Sequence, residues 1–136
     1  MKNYHNKKEV RNLLAECMWP DDERIENEYL KYCEDNDRDL FGMLINDNLV
    51  GLMGILHLSE EVKEIKHIAI KGNFRRQGIG RAMIMEYIRL NTSSELTAET
   101  DREAVGFYEQ MGFEITSLGE KYPGVERFRC ILNTIE

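Results

Sequence analysis

The sequence has few cysteines, few prolines, no internal repeat and no long apolar run. Its three cysteines, Cys17, Cys33 and Cys130, are odd in number and form no CxxC pair. Neither a disulfide framework nor a zinc site is therefore expected. No apolar stretch approaches the length of a membrane span, and the first ten residues lack the apolar core of a signal peptide. We expect a cytoplasmic protein with no membrane contact and no metal.

Basic residues are too few for general nucleic-acid binding. The chain has 25 acidic and 18 basic residues, and its formal net charge is −7 at pH 7. This balance disfavours contact with a phosphate backbone and modestly favours a cationic partner. With 136 residues, 42% of them hydrophobic, the chain has the size and composition of one globular domain. We therefore expect a single domain over residues 1–136.

Local patterns in the first half predict two helices and then three strands. Apolar residues recur at helical spacing up to Cys17 and Met18, and Asp21 is suited to cap a second helix. Residues 46–48 tolerate left-handed backbone and predict a β-hairpin between "FGMLI" and "LVGLMGIL". A third strand is expected over Val62–Ile70. Only "KNY" near the start offers an additional first strand.

The second half alternates helices and strands. A helix is predicted over residues 81–90, with an inner face of Ala82, Met83, Ile84, Tyr87 and Ile88. The short strand "ELTAET" follows, and Asp101 is a good N-cap for a helix that ends at Gly112. "FEITSL" and "RFRCIL" flank "GEKYPG" as a closing hairpin. This order of elements predicts a mixed α/β sheet.

The stretch "FRRQGIGRAM", residues 74–83, links the third strand to the next helix. A strand that runs into a glycine turn and then a helix brings together unpaired backbone N–H groups and the positive end of the helix dipole. Gly78 and Gly80 have no β-carbon, so an anion can closely approach the amides from Gln77 to Arg81. A local basic cluster favours a polyanion with several phosphates. The cluster comprises Lys71, Arg75, Arg76 and Arg81.

Two common phosphate-binding signatures do not fit this stretch. A Rossmann fingerprint needs a third glycine at position 83, which is Met83, and usually opens the first βα unit. A P-loop needs Gly-Lys-Ser/Thr, which is absent. The remaining pattern is Arg-x-x-Gly-x-Gly, formed by Arg75, Gly78 and Gly80. It resembles the acetyl-CoA pyrophosphate loop of the GCN5-related N-acetyltransferase (GNAT) superfamily.

Further segments resemble the same superfamily. "EIKHIAI", residues 64–70, is similar to its central strand, and "AVGFYEQMGF", residues 104–113, is similar to its A-x-x-F-Y-x-x-x-G-F segment. The resemblance covers roughly residues 41–132. It implies a mixed, mostly antiparallel α/β (α+β) sheet flanked by helices, with a splayed central strand pair. The first quarter of the chain departs from the family pattern, so the acceptor is left open.

The resemblance implies an enzyme that transfers an acetyl group from acetyl-CoA to a primary amine by direct attack in a ternary complex. The acceptor would be a small-molecule amine or an amine of a peptide or protein. The strand backbone would pair with the pantetheine arm, and the amide of Ile68 would polarise the thioester carbonyl. The implied cofactor-binding residues are Ile68, Ala69, Ile70, Arg75, Arg76, Gln77, Gly78, Ile79, Gly80, Arg81 and Tyr108.

Acetyl transfer to an amine also needs a base and an acid. An alkyl ammonium has a pKa of roughly 10, so a proton must be removed near neutral pH. Glu64 stands where the histone-acetyltransferase branch carries its base. His67 is the rival, because its ordinary pKa suits the task and a strand bulge can turn either residue toward the cleft. A water relay is the third alternative. Tyr108 is implied to return a proton to the departing thiolate.

Structural roles compete with these catalytic ones. Glu64 also fits a solvated strand glutamate, His67 a packed histidine and Tyr108 a core aromatic. Asp101 is best interpreted as a helix cap and Cys130 as a buried strand thiol. The alternative functions are a non-catalytic CoA-binding sensor or scaffold and a nucleotide-binding regulatory domain. A homodimer formed through the closing hairpin is also left open.

Overall fold

The computed structural model describes residue 4, residues 6–91 and residues 95–134. The described elements follow the predicted order of two helices, three strands, helix, strand, helix and two strands. Lys2 and Asn3, part of the additional first strand considered above, lie outside the described residues. The elements are α1 (Lys7–Ala15), α2 (Asp22–Glu34), β1 (Arg38–Ile45), β2 (Asn48–His57), β3 (Val62–Ile70), α3 (Ile79–Leu90), β4 (Glu95–Asp101), α4 (Val105–Gln110), β5 (Glu114–Tyr122) and β6 (Val125–Asn133).

The six strands form one sheet in the order β1-β2-β3-β4-β6-β5. Neighbouring strands are antiparallel except β3 and β4, which run parallel. The parallel pairing begins with Val62 opposite Glu95 and ends with Ile65 opposite Ala98. Residues 66–70 of β3 therefore extend past the last pair, and the two central strands separate there. The predicted mixed, mostly antiparallel sheet with a splayed central pair is confirmed.

Helices cover the two faces of the sheet. α1 and α2 pack on one face, whereas α3 and α4 pack on the other. Alternate residues of β3 serve the two cores, since Ala69 contacts the α1 and α2 side while Ile65 and Ile68 contact the α3 and α4 side. The first core contains Val10, Leu13, Leu14, Tyr29, Tyr32, Leu49, Leu52 and Ala69. The second contains Val50, Met53, Ile55, Ile65, Ile79, Met83, Ile84, Tyr87, Leu96, Ala98, Tyr108, Phe113 and Cys130.

The first two helices differ from prediction in one boundary. Asp21 caps α2 as predicted, because its carboxylate accepts hydrogen bonds from the backbone N–H groups of Glu23 and Arg24 at 3.1 and 3.2 Å. The expected continuation of α1 to Cys17 and Met18 is wrong, because the helix ends at Ala15 and the chain turns there. This turn brings Cys17 to a cleft described below.

Two predicted details around α3 and α4 are also wrong. Ala82 is exposed and not part of the inner face of α3, which begins at Ile79. Asp101 is the last residue of β4 and not the N-cap of α4, a position that Ala104 occupies. The Asp101 carboxylate still accepts a hydrogen bond from the Ala104 N–H at 3.0 Å. It therefore stabilises the turn that leads into the helix.

The closing hairpin is longer than predicted. β5 continues to Tyr122 and β6 begins at Val125, so most of "GEKYPG" is strand and the connection consists of Pro123 and Gly124. Gly124 has a φ of 79°, a left-handed conformation that glycine adopts at little cost. Register shifts interrupt the ladder between Ser117 and Gly119 and again just before Tyr122. These irregularities interrupt the two-residue alternation of inward and outward side chains, so the sequence pattern does not show the full length of the strands.

Two glycines of the α4 region should respond oppositely to alanine. Gly112 has a φ of 97°, and its N–H donates to the Glu109 carbonyl at 3.0 Å, so Gly112→Ala should destabilise the protein by about 1–2 kcal/mol. Gly106 has no positive φ and open space where a β-carbon would lie. Gly106→Ala should therefore stabilise by about 0.5–1 kcal/mol. Urea unfolding measures both, and equal effects in one direction would contradict the expectation.

Candidate active site

A cleft of about 620 Å³ lies beside the end of β3. Ile68, Ala69 and Ile70 of β3 form one wall. The N-terminal turn of α3 and the loop before it form a second, and Phe107 and Met111 from the α4 region form a third. The volume falls within the range of small-molecule and cofactor pockets. The open end of the splayed strand pair is thus the place where the protein offers room for a ligand.

The glycine loop presents the start of α3 to this cleft. Gly78 is the N-cap of α3 and has a φ of 78°, which glycine tolerates without a β-carbon clash. The first intrahelical hydrogen bond runs from the Ala82 N–H to the Gly78 carbonyl at 2.9 Å. The N–H groups of Ile79, Gly80 and Arg81 precede that bond and have no intrahelical acceptor. Because no side chain caps this end, these groups and the helix dipole are available to an anion.

Gly80 controls how closely the cleft walls approach. A β-carbon at Gly80 would lie 3.3 Å from Cζ of Phe107 and 3.7 Å from Cδ1 of Ile68. A larger side chain would therefore crowd Phe107 or occupy the cleft itself. This supports the prediction that glycine is needed here for close approach of a ligand.

The three arginines of the loop differ in their surroundings. Arg75 donates from Nε to the Ile70 carbonyl at 3.0 Å and from Nη2 to the Glu16 carboxylate at 3.5 Å. It therefore links the end of β3 to the end of α1. Arg76 and Arg81 also line the cleft and make no ion pair with the described residues. They are the two guanidinium groups of this loop that remain open to a bound anion.

Gln77 lies outside the set of residues that line the cleft. Its side-chain amide donates to the Asn73 carbonyl at 3.4 Å. Any contact of Gln77 with an anion would therefore come through its backbone. The remaining predicted cofactor-binding residues except Tyr108 all line the cleft.

Tyr108 is packed among aromatic rings beneath the cleft. Its ring makes edge contacts with Phe107 and Phe113 at centroid distances of 5.1 and 5.3 Å, and only 5% of the residue is exposed. Burial raises the pKa of Tyr108, with a further upward contribution from the thiols of Cys130 and Cys17. Its neighbour Phe107 lines the cleft but Tyr108 itself does not, and the raised pKa keeps the Tyr108 hydroxyl protonated near pH 7.

Cys17 and Glu16 line the cleft but carry no recognisable motif, and the sequence did not single them out for this site. The Cys17 thiol donates to the Leu14 carbonyl at 3.2 Å. Desolvation by the surrounding chain raises the pKa of Cys17 to about 11, against the opposing effect of its own backbone amide and that of Ile68. The thiol is therefore neutral near pH 7. Because the Lys71 N–H donates to the Val50 carbonyl at 2.8 Å, the alternation of the β2–β3 ladder directs the Ile68 N–H away from β2, toward the cleft.

Cys130 is fully buried in the core on the α3 side. Burial raises the pKa of its thiol to about 11. This agrees with the interpretation of Cys130 as a structural strand thiol.

A bulge at Lys66 places Glu64 and His67 on one face of the sheet. Gly54 of β2 pairs with His67 and the next residue pairs with Ile65, so Lys66 has no direct partner in β2. Since Ile65 and Ile68 both contact the α3-side core, side-chain alternation directs Glu64 and His67 toward the α2 side. Neither residue lines the cleft described above. Glu64 lies opposite Thr97 in the paired part of β3 and β4.

His67 is held by a buried tyrosine. The Tyr32 hydroxyl and Nδ1 of His67 are 2.5 Å apart. Burial lowers the pKa of His67 to about 4, with smaller downward effects from Lys66 and Arg38 and an opposing effect from Glu28. The imidazole is therefore neutral near pH 7 and is a weaker base than a solvated histidine.

The described residues form neither a metal site nor a membrane-spanning helix. No group of three or more His, Cys, Asp or Glu residues in residues 4, 6–91 and 95–134 is arranged to hold a metal ion. Within the same ranges, no helix has the length and apolar character required to cross a membrane.

Comparison with known sequences identifies the family. The sequence model of the GNAT acetyltransferase domain matches residues 3–126. An uncharacterized N-acetyltransferase from Bacillus methanolicus is 33% identical over 61 residues, which are 45% of this chain and 51% of that protein. The match thus spans about half the length of this curated relative. Because the domain match covers most of the chain, this protein belongs to the GNAT family of acetyltransferases.

Solved structures share the fold over nearly the whole chain. An aminoglycoside 6'-N-acetyltransferase complexed with coenzyme A superposes with a TM-score of 0.83 at 16% identity, covering 96% of this chain and 91% of that one. A protein assigned to the GNAT family from Desulfovibrio desulfuricans gives 0.80 at 20% identity, covering 99% and 96%. A spermidine N-acetyltransferase variant from Vibrio cholerae gives 0.74 at 18% identity, covering 95% and 90%.

Acetyl-CoA is the cosubstrate of GNAT acetyltransferases, and the residues of the cleft fit it. The uncapped N–H groups at the start of α3 suit a pyrophosphate. The missing side chain of Gly80 leaves the close approach that such a group needs. Beyond Ile65, β3 has no strand partner on its β4 side, so its backbone there can pair with an extended arm, except at the Ile70 carbonyl, which Arg75 occupies.

Proposed function

We propose that this protein transfers an acetyl group from acetyl-CoA to a primary amine by direct attack in a ternary complex. The observation that carries the proposal is the cleft in which the free end of β3 meets the uncapped N-terminus of α3. A small-molecule amine is the favoured acceptor class, because proteins of similar fold include an aminoglycoside and a spermidine acetyltransferase. An amine of a peptide or protein is the alternative.

In this proposal the pyrophosphate binds at the glycine loop. The backbone amides from Gln77 to Arg81 would donate to its oxygens, with the helix dipole adding favourable potential. Arg76 and Arg81 would supply positive charge. Arg75 would support the site indirectly, because its contacts with the Ile70 carbonyl and Glu16 hold the ends of β3 and α1 together.

The acyl arm would extend along β3. Ile68, Ala69 and Ile70 line the cleft. An arm with alternating amides could pair, as a neighbouring strand would, with the backbone groups there that face away from β2, other than the Ile70 carbonyl bound by Arg75. The Ile68 N–H faces the cleft at the Cys17 thiol. It would donate to the thioester carbonyl oxygen and so stabilise the negative charge that develops there during attack.

Proton transfer would then involve Tyr108 and Glu64. The amine nitrogen bonds to the carbonyl carbon and the carbon–sulfur bond breaks, so the thiolate needs a proton and the ammonium must lose one. Tyr108, protonated because burial raises its pKa, would donate to the thiolate. Glu64 would accept the ammonium proton through water, and His67 is the alternative, although its Nδ1 already contacts the Tyr32 hydroxyl. Turnover unaffected by Glu64→Gln would exclude this role.

The assay that tests the function is free-thiol release from acetyl-CoA across a panel of amines. The panel includes polyamines, aminoglycosides, arylalkylamines, free amino acids and short peptides. We expect release that depends on one class of amine and requires the protein. No release above background with any amine, from protein that binds CoA, would favour a non-catalytic CoA-binding module. Tighter binding of a dinucleotide than of CoA would favour a nucleotide-binding regulatory domain.

Gly80→Leu should weaken acetyl-CoA binding at least about tenfold, which corresponds to about 1.4 kcal/mol. The side chain would project toward Phe107 and Ile68 and occupy the space assigned to the pyrophosphate. Titration calorimetry measures the affinity. Gly72→Leu is the matched control, because Gly72 lies in the same connection, does not line the cleft and has no atom within 4 Å of its added β-carbon. Undiminished binding by folded Gly80→Leu would contradict the proposed cofactor site.

Tyr108→Phe should lower kcat roughly a hundredfold, the lower end for loss of a general acid, while acetyl-CoA affinity stays close to normal. Tyr87→Phe is the matched control, because Tyr87 lies in the same core and its buried hydroxyl has no hydrogen-bond partner among the described residues. That control should retain turnover and gain up to about 1 kcal/mol of stability. Equal kcat values for the two variants would remove Tyr108 from the mechanism.

A further inference from the structure

A chain of polar side chains runs from α2 across β1 to β3 on the face opposite α3. Arg38 donates from Nη1 to the Glu28 carboxylate at 2.7 Å, and its guanidinium carbon lies 5.1 Å from the centre of the Tyr32 ring. Tyr32 in turn contacts Nδ1 of His67. Arg38 and Tyr32 are 8% and 1% exposed, so this chain is largely shielded from water. None of its first three members belongs to the proposed machinery for cofactor binding or proton transfer.

The donors and acceptors of these four side chains allow only one direction for the hydrogen bond between Tyr32 and His67. A guanidinium has N–H donors and no acceptor, so Arg38 donates to Glu28 while its guanidinium lies over the Tyr32 ring. Burial raises the pKa of Tyr32, and the positive charge of Arg38 only partly offsets it. The phenol therefore keeps its proton. The only hydrogen-bond partner within the described residues for that proton is Nδ1 of His67.

The reverse arrangement would be costly. If Nδ1 of His67 carried a proton and donated to Tyr32, the phenol hydrogen would be buried without an acceptor. An unpaired buried donor is costly, so the bond from Tyr32 to Nδ1 is preferred. Neutral imidazole has one N–H, which must then reside on Nε2. The ring tautomer is thus determined by the Tyr32 hydroxyl.

Gly54 makes room for the contact. It lies directly opposite His67 in the β2–β3 ladder, and a β-carbon there would overlap the hydroxyl and ring carbons of Tyr32. The phenol can therefore lie over the β2 backbone and reach across to β3 only because residue 54 is glycine. The bulge at Lys66 adds the second requirement, since it turns His67 toward α2. The glycine at position 54 and the bulge at Lys66 are therefore both required for the hydrogen bond between Tyr32 and His67.

The opposite ring atom of His67 is free. Nε2 makes no hydrogen bond with the described residues, and it is not among their buried polar atoms without a partner. Nε2 is therefore accessible to a ligand or to water. It lies on the α2 side of β3, one residue before the Ile68 amide that is proposed to hold the thioester carbonyl. An N–H at this position can donate to a lone pair of a molecule that approaches the thioester from that side.

We propose that Tyr32, supported by Arg38 and Glu28, holds His67 as the neutral Nε2–H tautomer, so that His67 donates a hydrogen bond to an oxygen atom of the acceptor molecule instead of removing the proton of its amine. Tyr32, Arg38 and Glu28 are then positioning residues. The assignment of the tautomer depends only on contacts within the folded protein. The role in acceptor binding rests on the proposed acetyltransferase function.

The tautomer is tested by long-range proton–nitrogen NMR spectra of the ¹⁵N-labelled full chain at pH 7. His67→Asn assigns the His67 signals among the three histidines. We expect a protonated Nε2 and an unprotonated Nδ1. In Tyr32→Phe, the loss of the donor to Nδ1 should allow both tautomers and shift both nitrogen signals toward intermediate values. Tyr29→Phe, which removes the hydroxyl of another tyrosine of the same helix without a contact to His67, should leave the spectrum unchanged.

An Nδ1–H tautomer or a charged ring in the unmodified protein would overturn the assignment. So would a His67 spectrum that Tyr32→Phe leaves unchanged. These readings need no catalytic turnover, and Tyr32→Phe preserves the buried ring, so loss of the fold does not obscure the answer.

The role in the reaction is tested by steady-state kinetics of Tyr32→Phe with the amine that the panel identifies. We expect the acceptor KM to rise roughly twofold to fivefold, as for a weakened hydrogen bond, with kcat changed less than about twofold. A fall in kcat with unchanged KM would overturn the donor role and favour His67 as the base. If no amine is acetylated, the proposed function and the donor role both fail, whereas the spectrum still decides the tautomer.

Discussion

The separation of β3 from β4 is the constraint on which the site depends. The two strands pair in parallel only as far as Ile65 and Ala98, and the bulge at Lys66 follows at once. Backbone groups of β3 beyond that point lack a strand partner on one side, and such groups need a ligand, water or another chain segment. The resulting gap sits directly before the glycine loop and α3. The separation of β3 and β4 therefore forms the cleft in which an extended cofactor arm and its pyrophosphate can bind together.

The two faces of the sheet contribute different chemistry. On the α3 and α4 side the cleft is formed by a helix N-terminus, backbone amides and apolar side chains, with Phe107 packed close to Gly80. On the α1 and α2 side the bulge presents Glu64 and His67, and α2 supplies the Tyr32 contact. In the proposed mechanism, the catalytic groups would therefore approach the thioester from both faces of the sheet. This division follows from strand alternation once the bulge has changed its phase.

Much of the fold was predictable because its signals are local. The third strand was predicted with its observed bounds, Val62–Ile70, because β-branched residues recur along it up to the glycine turn. Asp21 was predicted as a cap because capping involves residues only two or three positions away. The predictions were wrong for the end of α1 near Cys17, for the end of β4 at Asp101 and for the length of the closing hairpin. In each case the end of a helix or strand, or an irregularity in strand pairing, depends on residues that are distant in the sequence. The resemblance to the family placed the cofactor loop, which is itself a contiguous motif.

The sequence by itself determined the order of elements, the glycine turn before α3 and the cofactor class, because each of these depends on neighbouring residues. Only the tertiary structure decided that Cys17 faces the Ile68 amide and that Glu64 and His67 share a face. It alone also showed that Gly54 leaves room for Tyr32 to reach His67. These contacts join α1, α2, β1, β2 and β3, whose residues are far apart in the chain. Their geometry depends on strand register and on one bulge, and a register shift of a single residue reverses every side chain of a strand.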